Sequence, residues 1–231
     1  MYSVRPPALL RKLYTNGVWR KNKLEKKIYL TFDDGPIPGV TPWVLDVLKA
    51  NAVHATFFCV GENVTNNPTI YERILQENHA VGNHTYNHVN GWETALPDYL
   101  ENIKQCTAHV NTKLFRPPYG RIRKNQQAVV SENYTIIMWD VLSKDYDAQT
   151  SPEQCLENTC NHVRNGSIIV FHDSLKAKEN MQFALPRFID YAKNYDTWTP
   201  YAKERMYLNE GILGSPLAKF ASTLIKLEAD M

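Results

Sequence analysis

Two adjacent acids and two histidines four residues apart are the groups in this sequence best suited to chemistry. The acids stand in Thr31-Phe32-Asp33-Asp34-Gly35-Pro36. Neighbouring carboxylates repel unless a cation or an arginine sits beside them. Gly35-Pro36 turns the chain sharply enough to present both acids at one tip, although such a stretch also serves as a plain turn. The histidines stand in His84-Thr85-Tyr86-Asn87-His88. This spacing puts both imidazoles on one side of a helical turn, where they can share a metal or simply face solvent. Two neutral imidazoles with one carboxylate make a three-ligand set that leaves positions open for water and substrate, as in catalytic zinc sites. The same set holds other divalent metals.

Three further clusters add to these. In Phe115-Arg116-Pro117-Pro118-Tyr119-Gly120 the prolines hold the backbone extended after Arg116. Arg116 can clamp one of the paired acids, and Tyr119-Gly120 can turn an amide toward a site; a rigid surface loop would read the same way. The fourth cluster runs from Trp139 through Asp140, Asp145 and Tyr146 to Asp147. In the fifth, an apolar run ends in Phe171-His172-Asp173. An imidazole at a strand end can act as acid or base near neutral pH, and a carboxylate such as Asp145 would fix its tautomer and raise its pKa.

Each cluster follows an apolar run, and this places them on one scaffold. Strands are expected at 28–32, 55–59, 79–82, 114–115, 135–139 and 167–171. Segments of helical period follow at 41–50, 68–78, 96–111, 123–132, 152–164 and 180–193. Thr41-Pro42 and Ser151-Pro152 each supply a capping hydroxyl and a proline for the first helical position. The alternation predicts an α/β fold, a distorted (β/α) barrel of about seven strands. Chemistry in such a barrel sits at the C-terminal ends of the strands, where these clusters fall. A chain of 231 residues suits one such unit with a real apolar core.

The formal charge of +2 conceals an asymmetry. Residues 1–27 hold eight basic side chains and one acid, a net +7, while the other 204 residues hold 18 bases and 23 acids, a net −5. A mildly acidic body is not the surface of a nucleic-acid binder. The sequence has no apolar run long enough to cross a membrane. It also shows no secretory signal, because Ala8, Leu9 and Leu10 run straight into Arg11 and Lys12. The four cysteines, Cys59, Cys106, Cys155 and Cys160, lack paired metal-ligand spacing and are expected as buried thiols. A cytoplasmic location follows as an expectation. The basic arm is expected either to pack on the barrel or to make a peripheral contact with an anionic membrane. The division expected is a basic arm at 1–27, the barrel at 28–200 and a helical extension at 201–231. In the extension Leu217, Phe220, Ala221, Leu224 and Ile225 share one helical stripe.

In this order, the five clusters resemble the motifs of the polysaccharide deacetylase family, the NodB-homology domain of carbohydrate esterase family 4, over residues 28–200. The resemblance implies a NodB-like distorted barrel and metal-dependent removal of N-acetyl, sometimes O-acetyl, groups from carbohydrates. It implies Asp33 as catalytic base, Asp34, His84 and His88 as metal ligands, and Arg116 as the group that orients the base. The Tyr119 amide would help bind the oxyanion, His172 would be the general acid and Asp145 its orienting carboxylate. Tyr146, Val170 and Pro118 are expected in the substrate pocket. Tyr146 stands where the family usually has Trp, and Val170 where it usually has Leu, so the acyl pocket differs in shape and polarity.

The cofactor expected is one divalent metal ion, zinc first, with Co, Ni, Fe or Mn as alternatives. Such a metal polarises the amide carbonyl and acidifies water together. The expected substrate is an acylated amino-sugar glycan or a precursor of one. An O-acetyl esterase or N-deformylase using the same groups, or a catalytically idle carbohydrate-binding protein, are the alternatives.

Overall fold

The computed structural model describes residues 3–193 and the strand Thr197–Trp198. The expected extension at 201–231, with its stripe from Leu217 to Ile225, lies outside the described residues. The chain runs α1 (Ala8–Leu13), β1 (Gly17–Val18), β2 (Lys27–Asp33), α2 (Thr41–Ala50), β3 (Thr56–Cys59), α3 (Gly61–Asn66), α4 (Pro68–Gln76) and β4 (Ala80–Asn83). It continues through α5 (Leu96–Thr107), β5 (Leu114–Phe115), a 3-10 turn at Pro118–Gly120, α6 (Lys124–Asn133), β6 (Thr135–Ile137) and β7 (Val141–Leu142). Then come α7 (Pro152–Cys160), β8 (Ile168–His172), α8 (Lys178–Ala192) and β9 (Thr197–Trp198).

The strands lie in the order β1-β6-β5-β4-β3-β2-β8-β7, with β9 beside β2, and their pairings are parallel. Residues 135–142 pair with β5 at one end and with β8 at the other, so one extended segment brings the curled sheet back on itself. This is the distorted α/β barrel that the alternation implied.

Period-two alternation divides β2 between two environments. Ile28, Leu30 and Phe32 join Phe57, Ile169 and Phe171 in a layer under the helices, against Leu45, Leu48, Leu185 and Phe188. The intervening side chains face the barrel interior. Its floor is Tyr29, Phe58, Leu114, Ile137 and Ile168, and above it β2 presents Thr31 and then Asp33. Complete burial of a Leu or Phe side chain stabilises the fold by about 1.5–3 kcal/mol, so this outer layer holds the strand ends rigidly in place.

Several local expectations are corrected. Ser151 caps α7 as expected, its Oγ accepting from Gln154 N–H at 3.1 Å. Thr41, however, is already the first residue of α2. Its hydroxyl accepts from Ile37 N–H at 2.7 Å and donates to the Asp173 carboxylate at 2.6 Å, so a tertiary partner replaces the local cap. The basic arm packs on the barrel, one of the two uses expected of it, and β1 within it pairs with β6 in the sheet. Arg11 and Arg164 both reach the fully buried Asp140, at 3.0 and 2.6 Å. Arg20 donates to the Asn165 carbonyl at 2.7 Å, and Arg5 to that of His162. Among the described residues no helix is long and apolar enough to cross a membrane.

Candidate active site

The last residues of β2 and β8, Asp33 and His172, are register partners and stand side by side at the C-terminal end of the barrel. Each has a dedicated partner. Arg116, following β5 and almost wholly buried, donates to Asp33 Oδ1 at 2.6 Å. Its other donors go to Thr31 Oγ1 at 2.8 Å and to the carbonyls of Ile137 and Met138 at 3.2 and 3.0 Å, while its plane lies 4.0 Å from the Phe58 ring centre. A guanidinium fixed on four acceptors cannot follow Asp33 if it moves, so the carboxylate is held still.

His172 Nδ1 lies 2.7 Å from Asp145 Oδ1, and the His172 backbone N–H donates to Asp145 Oδ2 at 2.7 Å. Burial alone would lower the pKa of this imidazole. Asp145, with Asp34 and Asp33 nearby, instead pushes it up to about 9. The ring therefore carries its proton at neutral pH, with Nε2 as the remaining donor.

Asp34 has φ +85° and begins a tight turn. A Cβ on Gly35 would fall 1.9 Å from Asp173 Oδ2, so only glycine allows the approach. The buried Asp173 accepts from Gly35 N–H at 3.1 Å and from the Thr41 hydroxyl at 2.6 Å, and its own N–H donates to the Asp33 carbonyl at 3.0 Å. Burial, together with the neighbouring Asp34, pushes the Asp173 carboxyl up to about 7. Asp173 thus fixes the turn that carries Asp34.

His84 and His88 come to the same end of the barrel on a loop after β4, and not on the helical turn that their spacing had suggested. Thr85 and His88 have φ of +63° and +56°, left-handed values that interrupt any helix. Side chains stabilise this backbone: Asn83 Oδ1 accepts from Thr85 N–H at 2.9 Å, and Asn102 Oδ1 accepts from Tyr86 and Asn87 N–H at 2.8 and 3.0 Å. His84 Nδ1 donates to the Arg116 carbonyl at 2.8 Å, which turns its Nε2 lone pair toward Asp34. Burial lowers the His84 pKa to about 4, keeping the ring neutral as a metal ligand must be.

His84 Nε2 and His88 Nε2 lie 3.7 and 3.2 Å from Asp34 Oδ1, and the three ligand atoms are all within 4.8 Å of one another. Burial would raise the Asp34 pKa, but the His88 contact and the positive charge of His172 hold it well below the usual carboxylate range. Two imidazole nitrogens and one carboxylate, converging with one ring already oriented by a carbonyl, fit a divalent metal ion.

A cavity of about 520 Å³ joins these groups, lined by Asp33, Asp34, His84, His88, Arg116, Tyr119 and His172 together with Tyr146 and Val170. Its size suits a small ligand or one part of a longer one. The polysaccharide deacetylase model matches residues 20–136. The chain belongs to the polysaccharide deacetylase family. Among curated members of the family it is similar to two Bacillus cereus proteins named peptidoglycan-N-acetylglucosamine deacetylase. One is 34% identical over 195 residues, covering 80% of this chain and 92% of the relative. The other is 38% identical over 160 residues, covering 66% of this chain but only 57% of the relative, so the chain spans little more than half of that protein.

Among solved structures, a peptidoglycan N-acetylglucosamine deacetylase in complex with 4-naphthalen-1-yl-N-oxidanyl-benzamide superposes with a TM-score of 0.75 at 32% identity, over 81% of this chain and 91% of that one. A Bacillus anthracis protein described as a family pseudoenzyme superposes with a TM-score of 0.68 at 26% identity, over 78% of this chain and 65% of that one. The family fold alone therefore does not guarantee turnover.

The structure brings together ten of the eleven residues that the sequence singled out for this deacetylase-family site, nine of them on the cavity wall and Asp145 behind His172. Pro118 is the exception. It is buried within the 3-10 turn, and Pro117 takes its place on the wall. Sequence reading gave no role to Asp173, although it directly follows His172. Trp139 and Leu142, which also line the cavity, stood inside the fourth cluster as part of an apolar run without a function.

Proposed function

We propose that this chain is a metal-dependent carbohydrate N-deacetylase that hydrolyses the bond between an acetyl group and a sugar amine. The observation that carries the reading is the placement of Asp33 and His172 as neighbours across β2 and β8, each locked to its own partner, beside a convergent Asp34–His84–His88 set. A divalent ion on that set would polarise the acyl carbonyl and make water acidic. Zinc suits the two nitrogens and one oxygen best, with Co, Ni, Fe or Mn as competitors.

Asp33, held in place by Arg116, takes a proton from the attacking water. The Tyr119 N–H, on the left-handed turn at φ +59°, donates to the carbonyl oxygen as negative charge develops there. Removing one such donor costs about 3–4 kcal/mol of barrier. His172, protonated at neutral pH, delivers a proton to the departing amine, without which the amide would re-form. Asp145 holds its ring and its charge. Acetate and a free amino sugar are the products, and no covalent enzyme intermediate is required.

The substrate class proposed is an N-acetylated amino-sugar glycan, in keeping with the names of the relatives. Incubation of metal-loaded protein with acetylated chitooligosaccharides and peptidoglycan fragments, followed by mass spectrometry, tests the reading. A mass loss equal to one acetyl group exchanged for hydrogen on each sugar supports it, and no mass change on any substrate defeats it. Tyr146 and Val170 favour a second reading for the acyl group: its pocket wall carries a phenol set edge-on to His172 at 4.7 Å and a small aliphatic side chain. Release of formate, or release of acetate from esters alone, would select an N-deformylase or O-acetyl esterase. Binding of the glycan without hydrolysis of any acyl group would select an idle carbohydrate-binding protein.

A further inference from the structure

We propose that Trp92, Arg121 and the outer face of Tyr119 form a subsite for a second sugar of an oligomeric glycan, beside the sugar that reacts at the triad. The inference rests on the deacetylase reading and gives it a substrate length. Trp92 and Tyr119 are large aromatic side chains with 47% and 50% of their surface exposed. They are joined to the site by a row of planar groups. The Tyr119 ring centre lies 4.6 Å from that of His88, the Arg121 guanidinium 5.9 Å from Tyr119, and the same guanidinium 5.1 Å from Trp92. Tyr119 lines the cavity, so the row begins inside the site and leads out of it.

The row is rigid before any ligand arrives. Fully buried Gln126 donates to the carbonyls of Gly91 and Thr94 at 2.9 and 3.0 Å and accepts from Arg123 N–H at 2.8 Å. Arg123 donates to the Trp92 carbonyl, and the indole N–H donates to Tyr14 Oη at 3.2 Å. A Cβ on Gly91 would stand 2.5 Å from the Arg121 carbonyl, so the Trp92 loop and the Tyr119–Arg121 loop are pressed together. This clamp holds a tryptophan ring in one orientation while leaving nearly half of it in water.

The apolar C–H face of a pyranose fits such a ring, and the guanidinium fork fits a pair of sugar hydroxyls or the carboxylate of an acidic sugar. Binding made there is remote from the reacting bond and can be used to hold the reacting sugar in place.

The test uses full-length, zinc-loaded protein and N-acetylglucosamine oligomers from dimer to pentamer. For the wild type, kcat/KM for acetate release rises with length. Trp92→Ala lowers it by about tenfold more on the pentamer than on the dimer, the scale of one aromatic contact. Trp92→Phe, which keeps a ring and loses the bond to Tyr14, retains most of the length dependence. Calorimetric binding of the tetramer needs no turnover, and there Trp92→Ala raises Kd by about tenfold. Equal loss on all lengths, a flat wild-type profile, or an unchanged tetramer Kd overturns the subsite. Tetramer binding weakened by Trp92→Ala, with no acetate released by the wild type, supports the subsite and overturns the deacetylase reading instead.

Discussion

Asp33 and His172 are opposite one another as register partners on the adjacent parallel strands β2 and β8. Two groups in that relation, one held by Arg116 and the other protonated through Asp145, can take and give a proton on either side of a single bond. Replacement of Asp33 by Asn, or of His172 by Ala, is expected to lower kcat by about 100- to 10,000-fold, the usual range for one acid or base. Steady-state acetate release checks it, and wild-type turnover in either variant would remove that residue from the mechanism.

Arg116 differs from these two because its role is divided between site and fold. Arg116→Ala leaves Asp33 buried without its counter-charge, and breaking one side of a buried pair destabilises by about 3–5 kcal/mol. Urea unfolding should show this loss together with reduced activity. Arg116→Lys keeps the charge but cannot serve Thr31, Asp33, Ile137 and Met138 at once, so it should recover only part of the stability.

The pH dependence follows from His172. The imidazole ordinarily titrates near 6.5 and here is pushed up to about 9. As the proton donor, it gives kcat/KM an alkaline limb centred at about 9, level through neutral pH and falling as pH rises through about 9. Asp145→Asn removes the largest opposing influence and leaves burial, so the limb should move to lower pH. The stability sign agrees. A raised pKa means that the folded state binds the proton more tightly, so the contribution is complete below about 6.5 and lost as pH rises through about 9. Denaturant unfolding at both ends of that window should show a larger alkaline loss in the wild type than in Asp145→Asn.

The barrel and most of its site were legible because strands end where apolar alternation ends, and β2 and β8 each close on the residue that does chemistry. What escaped depended on distant parts of the chain. The His84–His88 spacing has the period of a helix. Its actual backbone is a loop, because Asn83 and Asn102 satisfy amides that a helix would have satisfied itself. Thr41 has a capping sequence, yet its hydroxyl is drawn to Asp173 across 132 positions. The arm's charge alone left open whether it packs on the barrel or meets an anionic membrane. The buried Asp140 uses one of the arm's charges, pairing with Arg11 and with Arg164 of the body.

The metal set gives a prediction that separates binding from turnover. His84 is buried and oriented by the Arg116 carbonyl, while His88 is partly exposed and meets Tyr119 Oη at 3.1 Å. Zinc at about 100 times its Kd should stabilise the wild type by about 2.7 kcal/mol, read as a rise in Tm. His84→Ala and His88→Ala should each abolish most of that rise, and a chelator should reverse it in the wild type. An unchanged Tm on zinc addition would dismiss the set as a metal site.

Asp173 supplies the prediction that sequence alone would not have made. Its carboxylate is the acceptor for Gly35 N–H and for the Thr41 hydroxyl, both in its buried surroundings. Asp173→Ala leaves both donors without that acceptor, at about 1–3 kcal/mol each, and a loss of about 2–4 kcal/mol in urea unfolding is expected. Asp173→Asn keeps one carbonyl oxygen and should lose less. Because the turn carries Asp34, zinc should also bind more weakly to Asp173→Ala, as measured by titration calorimetry. If stability fell while zinc affinity stayed at the wild-type value, Asp173 would support the fold alone and the turn would hold Asp34 without it.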